Sequence, residues 1–291
     1  FYLCFKLFGW NDGGFFGATL AAHVLTALVL YRVARQLGLD LLAAVSAALL
    51  AVSRFPSITN VTPACTFHYP AAILLHLLAL SLFLDYTRTR RLAFQLGACG
   101  CFASGLLCNE LVINLPFLLV LASLFAADFP IRARTLARAL RDSVPYFALA
   151  VLFLIVRYQV IAEVERPHLY ILELGWHLPL NAFVHLSMVA GNHLYLAASL
   201  ALMALLAVGI WRAPEKRRQL WEHVARVWAL CLPWLLAMLL PLSLFPFPMY
   251  RFTMPSQIPA ALLFAALLDA ACKAHAGRGR AHRLVLQVVA G

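Results

Sequence analysis

Several residues that can do chemistry in this chain lie in linkers between long apolar segments. Arg251 stands beside Tyr250 in the linker 245–255, among prolines and aromatic residues. A guanidinium offers a planar fork of donors that matches a phosphate group, so Arg251 is a candidate clamp for a lipid phosphate. The alternative is an arginine that extends its charged head into water at a membrane surface. The sequence leaves both interpretations open.

Two carboxylates are candidates for proton transfer. Glu110 follows Asn109 at the boundary of an apolar segment, where it can accept a proton or hold a hydroxyl group. Its alternative role is that of an acidic residue favoured at the start of a helix. Asp12 lies in the run Asn-Asp-Gly-Gly, which is also an ordinary turn sequence. The spacing alone does not show that either carboxylate takes part in proton transfer.

A further polar linker covers residues 54–70. It begins at Arg54, ends near His68 and Tyr69, and is rich in hydroxyls, aromatic residues and prolines. The linkers that alternate with the polar ones are short, arginine-rich turns instead. This contrast predicts that the two kinds of linker lie on opposite sides of a membrane.

The segment 162–192 is predicted to be a larger extracytoplasmic segment. Within and just after it, His177, His185 and His193 recur every eight residues, which only roughly follows one face of a helix. Core or interfacial histidines are therefore favoured over a zinc site. The sequence predicts no metal and no cofactor.

The elements that must position these residues are membrane-spanning helices. The chain is 64% hydrophobic and only 12% charged, with a mean hydropathy of +0.85. About 20 apolar residues span a bilayer as a helix. We expect an all-α polytopic transmembrane bundle over 1–291, with about nine complete spans and the start of a tenth near residue 284. The predicted spans are 17–35, 41–55, 70–86, 92–108, 111–127, 144–161, 194–211, 227–245 and 256–272.

The distribution of cations predicts the orientation. When the spans alternate and residues 1–16 lie outside, 18 of the 23 lysines and arginines fall in inside linkers. The net charge of +11 is then a consequence of topology, and the dispersed cations disfavour a nucleic-acid partner. The chain begins at Phe1 and stops within a new apolar run, so we expect a fragment truncated at both ends.

The order of features resembles a known membrane family. Residues 8–17, then Leu20-Ala-Ala-His23 and Leu30-Tyr-Arg, resemble the opening run of GT-C glycosyltransferases, which include protein O-mannosyltransferases and aminoarabinose transferases. Arg54-Phe-Pro and the run from Asn109 to Pro116 fit the same layout. The resemblance covers 16–128, the expected GT-C-like core, and loosely 245–268.

The resemblance implies an inverting sugar transfer from a polyprenyl-phosphate-linked donor to a lipid, glycan or protein acceptor outside the membrane. Arg251 and Arg54 would bind the donor phosphate, and an outer carboxylate would deprotonate the acceptor. That carboxylate is expected upstream of Phe1, with Asp12 and Glu110 as candidates. The family often has Lys-Glu where this chain has Asn109-Glu110. The implied location is a bacterial inner membrane, and the residues expected around the substrate cavity are His68, Tyr69, Asn109 and Tyr250.

Two other classes of protein remain open on the sequence. A carrier or lipid flippase would have inverted repeats and polar groups near the midplane, whereas the ionisable groups here cluster at span boundaries, with His76 as one exception. A non-catalytic, transferase-like membrane subunit is the third interpretation, because the family's lysine is replaced by Asn109.

Overall fold

The computed structural model describes residues 6–7, 9, 11–53, 67–126, 133–162, 177–190, 200–208, 217–243 and 254–275. These residues are almost entirely helical and include no strand, which confirms the all-α prediction. Arg54, Tyr250 and Arg251 lie outside the described residues, as do most of 162–192 and the predicted start of a span near 284.

We number the described helices α1 to α10. They are α1 Asp12–Gln36, α2 Leu41–Val52, α3 His68–Thr89, α4 Leu92–Cys108, a 3-10 segment Glu110–Asn114, α5 Leu115–Phe125, α6 Ala133–Ala162, α7 His177–Ala190, α8 200–208, α9 Arg217–Ser243 and α10 Met254–His275.

Five of these helices are long and apolar enough to cross a membrane: α1, α3, α6, α9 and α10. They indicate an integral membrane protein. The predicted count of nine spans is not confirmed, because α2, α4 and the 3-10 segment with α5 are shorter apolar helices. The 12 residues of α2 extend only about 18 Å at 1.5 Å per residue, against a hydrocarbon core of about 30 Å.

Helices at the periphery expose apolar side chains. On α6, Leu152 and Ile155 are each more than half exposed, and on α1 the same is true of Leu28. Such a surface is costly in water but suits contact with lipid. By contrast, 78% of the apolar window of α10 is buried inside the bundle. The exposed helices are therefore those we expect to face the lipid.

Small residues allow close packing in the interior. The buried face of α2 carries Ala44 and Ala47, and α2 packs on α10, which buries Ala265 and Ala266. Alanine lets the backbones of neighbouring helices approach closely in membranes. Larger side chains fill the space around α3, where Phe83 meets the ring of Tyr146 from α6 edge-on at 5.7 Å.

Cations that the sequence predicts on the inner side of the membrane lie at one end of the bundle, which we call the arginine end. There Arg32 of α1 lies 2.6 Å from the carboxylate of Asp85 on α3. Arg90, in the turn after α3, lies 2.5 Å from the carboxylate of Asp142 on α6. Arg90 has a left-handed backbone with φ of 56°, which ends α3 and lets α4 return beside it. Thus α3 and α4, which are consecutive in the chain, run antiparallel, whereas α1 and α3 both end at the arginine end, as alternating spans require.

A third charged group at the arginine end is buried between α2, α9 and α10. The side chain of Asp269 is fully buried, and its carboxylate accepts hydrogen bonds from Nζ of Lys273 at 2.6 Å and from the backbone N–H of Asp40 at 3.1 Å. Nε2 of His223 lies 2.8 Å from the same carboxylate. A buried carboxylate is tolerated when it is paired and hydrogen-bonded in this way. The Asp269 cluster therefore joins three helices.

Candidate functional site at the opposite end

The N-terminus of α3, the start of the 3-10 segment and the N-terminus of α10 meet at the other end of the bundle, which we call the opposite end. A small cavity lies between them. Two of its walls carry sequence-predicted residues, Tyr69 on α3 and Asn109 before the 3-10 segment. The volume open to the centre of a water molecule is about 10 Å³, which is room for about one water. The side chains that line the cavity are Tyr69, Ala72, Ile73, His76, Asn109, Leu111, Val112, Trp234, Met238, Pro255 and Ile258.

Asn109 is held in place by the local fold. Its backbone is extended, with φ of −162°, and its side-chain oxygen accepts a hydrogen bond from the backbone N–H of Leu111 at 2.9 Å. This is an N-cap that begins the 3-10 segment directly after α4 ends. The cap fixes a 92% buried polar residue against the cavity. A lysine at this position would lack the acceptor oxygen that makes the cap.

His76 and Trp234 form the buried wall of the cavity. His76 lies eight residues into α3, about 12 Å from the start of that helix, and is 2% exposed. Its imidazole stacks on the indole of Trp234 from α9, with ring centroids 5.7 Å apart and an angle of 18° between the planes. Neither nitrogen of His76 nor Nε1 of Trp234 has a hydrogen-bond partner among the described residues.

Unpaired polar atoms in a bundle interior need an explanation, because each costs about 1–3 kcal/mol when it is left without a partner. The side chains of Ser256 and Gln257, one and two residues after Pro255, are also buried and lack partners among the described residues. The opposite end is therefore rich in donors and acceptors that can serve a polar ligand. In the sequence His76 stands out only as an ionisable residue inside an apolar segment, and no local pattern pairs it with Trp234.

Glu110 is at the same end but does not line the cavity. Its two carboxylate oxygens accept hydrogen bonds from Nη2 and Nη1 of Arg157 on α6, at 2.9 and 3.2 Å. The Glu110 side chain is 47% exposed and that of Arg157 is 39% exposed. The pair therefore joins the 3-10 segment to α6 at a partly exposed position, and Glu110 is next in sequence to the cavity residue Asn109.

Replacing Glu110 with glutamine is expected to lower the free energy of unfolding by less than about 1 kcal/mol, because exposed ion pairs contribute little. Thermal unfolding of the purified protein in detergent, compared with Arg157→Gln as the matched change, would measure this. A loss above about 2 kcal/mol for either variant would contradict the exposed geometry.

The other acidic candidate, Asp12, is exposed in the first turn of α1. The residue before it, Asn11, caps the helix by accepting hydrogen bonds from the backbone N–H groups of Gly13 and Gly14 at 3.0 and 3.4 Å. An acidic residue in the first turn is favoured by the helix dipole. Asp12 shares the opposite end with Asn109 but does not line the cavity.

Two other histidines, His68 at the start of α3 and His23 about halfway along α1, have different surroundings. His68 lies at the start of α3, with its ring 4.2 Å from that of Tyr69, but it is not a lining residue. His23 of α1 is 8% exposed, and its Nε2 donates a hydrogen bond to the carbonyl of Val52 at 2.9 Å. That carbonyl belongs to the last turn of α2 and has no helical partner of its own. The role of His23 is therefore to join α1 to the end of α2.

Within the described part of the chain, no three His, Cys, Asp or Glu side chains are grouped closely enough to hold a metal ion. Comparison with known proteins finds no matching family model, no similar curated protein and no similar solved structure. The chemistry of the site must therefore be argued from its own residues.

Proposed function

We propose that the chain is a membrane glycosyltransferase, which moves a sugar from a polyprenyl-phosphate-linked donor to an acceptor at the opposite end. The observation that carries the proposal is the cavity between Tyr69, His76, Asn109 and Trp234, with its buried donors and acceptors. Hydroxyl-rich ligands suit such groups, since a sugar hydroxyl both donates and accepts. The cavity has room for about one water, so these residues supply one wall of the proposed sugar site.

The remaining parts of the proposed site come from the linkers that adjoin this wall in sequence. Arg54 follows Ser53 at the end of α2, and Arg251 precedes the cavity residue Pro255 by four positions. Their guanidinium groups would bind the donor phosphate and stabilise the charge that develops as it leaves. Tyr250, next to Arg251, would add to the substrate cavity.

The proposed reaction is a direct displacement at the anomeric carbon. The acceptor oxygen forms a bond to that carbon, the bond from carbon to the phosphate oxygen breaks with both electrons going to the phosphate, and the acceptor proton passes to a carboxylate. Of the two candidates Glu110 is the one next in sequence to the cavity residue Asn109, and it would have to release Arg157 before it receives that proton. The exposed apolar faces of the outer helices would hold the polyprenyl tail.

The finer topology is part of the proposal. It comprises nine spans and the start of a tenth, in a bacterial inner membrane, with the arginine end in the cytoplasm. The opposite end then faces outward, where lipid, glycan and protein acceptors are available.

Transfer can be tested in proteoliposomes that contain the purified chain and a polyprenyl-phosphate donor with a radiolabelled sugar. The proposal predicts that polyprenyl phosphate is released while the label moves to an acceptor from a membrane extract. Movement of the intact donor across the bilayer without cleavage would instead identify a flippase. Absence of both activities, with the protein correctly folded, would favour the non-catalytic subunit.

Arg251→Ala is expected to reduce kcat/KM for the donor about tenfold while leaving the melting temperature unchanged, because a phosphate-binding guanidinium acts on the substrate. The matched control is Arg166→Ala, which removes another cation predicted on the same side. Equal transfer by wild type and Arg251→Ala would contradict the clamp.

A further inference from the structure

A second cavity lies at the arginine end, where α3, α5 and α6 meet. Its volume is about 180 Å³, and it is lined mainly by polar side chains. A phosphate group fits in this volume together with ordered water, because about 10–15 Å³ on the same measure already holds one water. The lining residues are Thr87, Arg90, Ser123, Ala126, Thr135, Arg138, Ala139 and Asp142.

The cavity carries a positive charge. Arg90 and Asp142 compensate each other through their 2.5 Å contact, and Asp142 raises the pKa of the Arg90 guanidinium above its ordinary value by accepting its hydrogen bond. Arg138 contributes a further guanidinium that makes no ion pair among the described residues. Arg141 lies 3.8 Å from Asp142 and offsets the carboxylate further. Among the lining residues the surplus charge belongs to Arg138.

Hydroxyl groups complete the lining. Oγ of Ser123 on α5 is buried and has no hydrogen-bond partner among the described residues. Thr135, near the start of the described part of α6, contributes a second hydroxyl to the lining. A guanidinium and two hydroxyls therefore surround one space, and each of them can donate to phosphate oxygens.

An apolar track runs along α6 beside this cavity. Leu136, Leu140 and Val144 lie at intervals of four residues on one face and are 41%, 46% and 57% exposed. The cavity residues Thr135 and Ala139 directly precede Leu136 and Leu140 in sequence. The apolar track therefore lies beside the cavity on the surface of α6. A free phosphate ion would not bind to this apolar surface, whereas the acyl chain of a lipid would cover it.

From these features we propose that the cavity at the arginine end binds the phosphate headgroup of an anionic phospholipid, with an acyl chain along Leu136, Leu140 and Val144. The proposal is independent of glycosyl transfer. It concerns the side of the membrane where a cluster of arginines would meet the negatively charged leaflet. Arg138 and Ser123 bind the phosphate, and the Arg90–Asp142 pair lines the cavity beside them.

The test uses the full chain purified in a neutral detergent and titrated with three probes. These are dihexanoyl phosphatidylglycerol, dihexanoyl phosphatidylcholine and inorganic phosphate, with binding measured by native mass spectrometry and by the shift in melting temperature. We expect the phosphatidylglycerol to bind at least tenfold more tightly than either other probe. Equal binding of inorganic phosphate would identify a free-phosphate site, and equal binding of phosphatidylcholine would exclude recognition by charge; either result would overturn the proposal.

Variants locate the binding. Arg138→Ala is expected to weaken binding of phosphatidylglycerol about tenfold, because it removes a charge-assisted hydrogen bond. Arg134→Ala is the matched control, since Arg134 is an exposed arginine of the same helix that does not line the cavity, and it should change binding less than twofold. Both residues are exposed, so both variants should fold. Equal losses in the two variants would reveal general attraction to the arginine end and overturn the site.

Discussion

Replacing His76 with phenylalanine is expected to reduce sugar transfer about 10- to 100-fold while the bundle stays folded. The imidazole is 2% exposed, and both of its nitrogens lack partners among the described residues, at the wall of the proposed sugar site. Removing a buried hydrogen-bonding group that serves the transition state costs this much in rate. Phenylalanine keeps the shape and the stack on Trp234, and removes two unsatisfied polar atoms, so the melting temperature should stay equal or rise.

His23→Phe is the matched control for this prediction. His23 is also a buried histidine, but its Nε2 donates to the carbonyl of Val52 and it does not line the cavity. Its replacement should lower the melting temperature and leave transfer per folded molecule unchanged. Transfer rates and thermal unfolding, measured on both variants, should therefore show opposite patterns. Full activity in His76→Phe would remove His76 from the site.

The largest loss of stability is expected from Asp269→Ala. The change leaves Lys273, His223 and the backbone N–H of Asp40 without the carboxylate that all three approach within 3.1 Å. Breaking a buried ion pair by removing one partner costs about 3–5 kcal/mol. Because α2, α9 and α10 meet at this carboxylate, we expect most of that cost to appear in the unfolding of the whole bundle.

Asp85→Ala provides the comparison at the same end. The carboxylate of Asp85 is 18% exposed and accepts hydrogen bonds from Arg32, which is 55% exposed, and from Nε2 of Gln36 at 2.8 Å. Water replaces these contacts more easily than those of Asp269. We expect a loss of about 1 kcal/mol. Both losses are measured by denaturant titration of the purified protein in mixed micelles. Similar losses for Asp269→Ala and Asp85→Ala would show that the buried Asp269 cluster contributes no more to the free energy of unfolding than the contacts of Asp85.

The class of fold was predictable from the sequence because its signals are local. Apolar segments bounded by arginine turns predict helices that alternate in direction, and the contacts of Arg32 with Asp85 and of Arg90 with Asp142 join cationic turns at one end. Helix lengths were predicted less well. Composition does not show that α2 ends at Val52, where the carbonyl is capped by a histidine from a different helix.

The site was predictable only in part. Tyr69 and Asn109 were identified from linker composition and resemblance, and they line one cavity. The pairing of His76 with Trp234 joins residues 158 positions apart, and no local pattern indicates it. A signal was nevertheless present, because an ionisable residue inside an apolar segment is unusual. Asp269, in the predicted span 256–272, is a second such residue.

The most direct test of the account is the accessibility of the turn that contains Arg90. In a variant whose seven natural cysteines are replaced, Thr89→Cys is treated with a membrane-impermeant maleimide in intact cells. Asp12→Cys, in the exposed first turn of α1 at the opposite end, is the matched control. We predict that Asp12→Cys is labelled in intact cells, whereas Thr89→Cys is labelled only after the membrane is permeabilised. Labelling of Thr89→Cys from outside would place the arginine end on the wrong side and contradict both proposed sites.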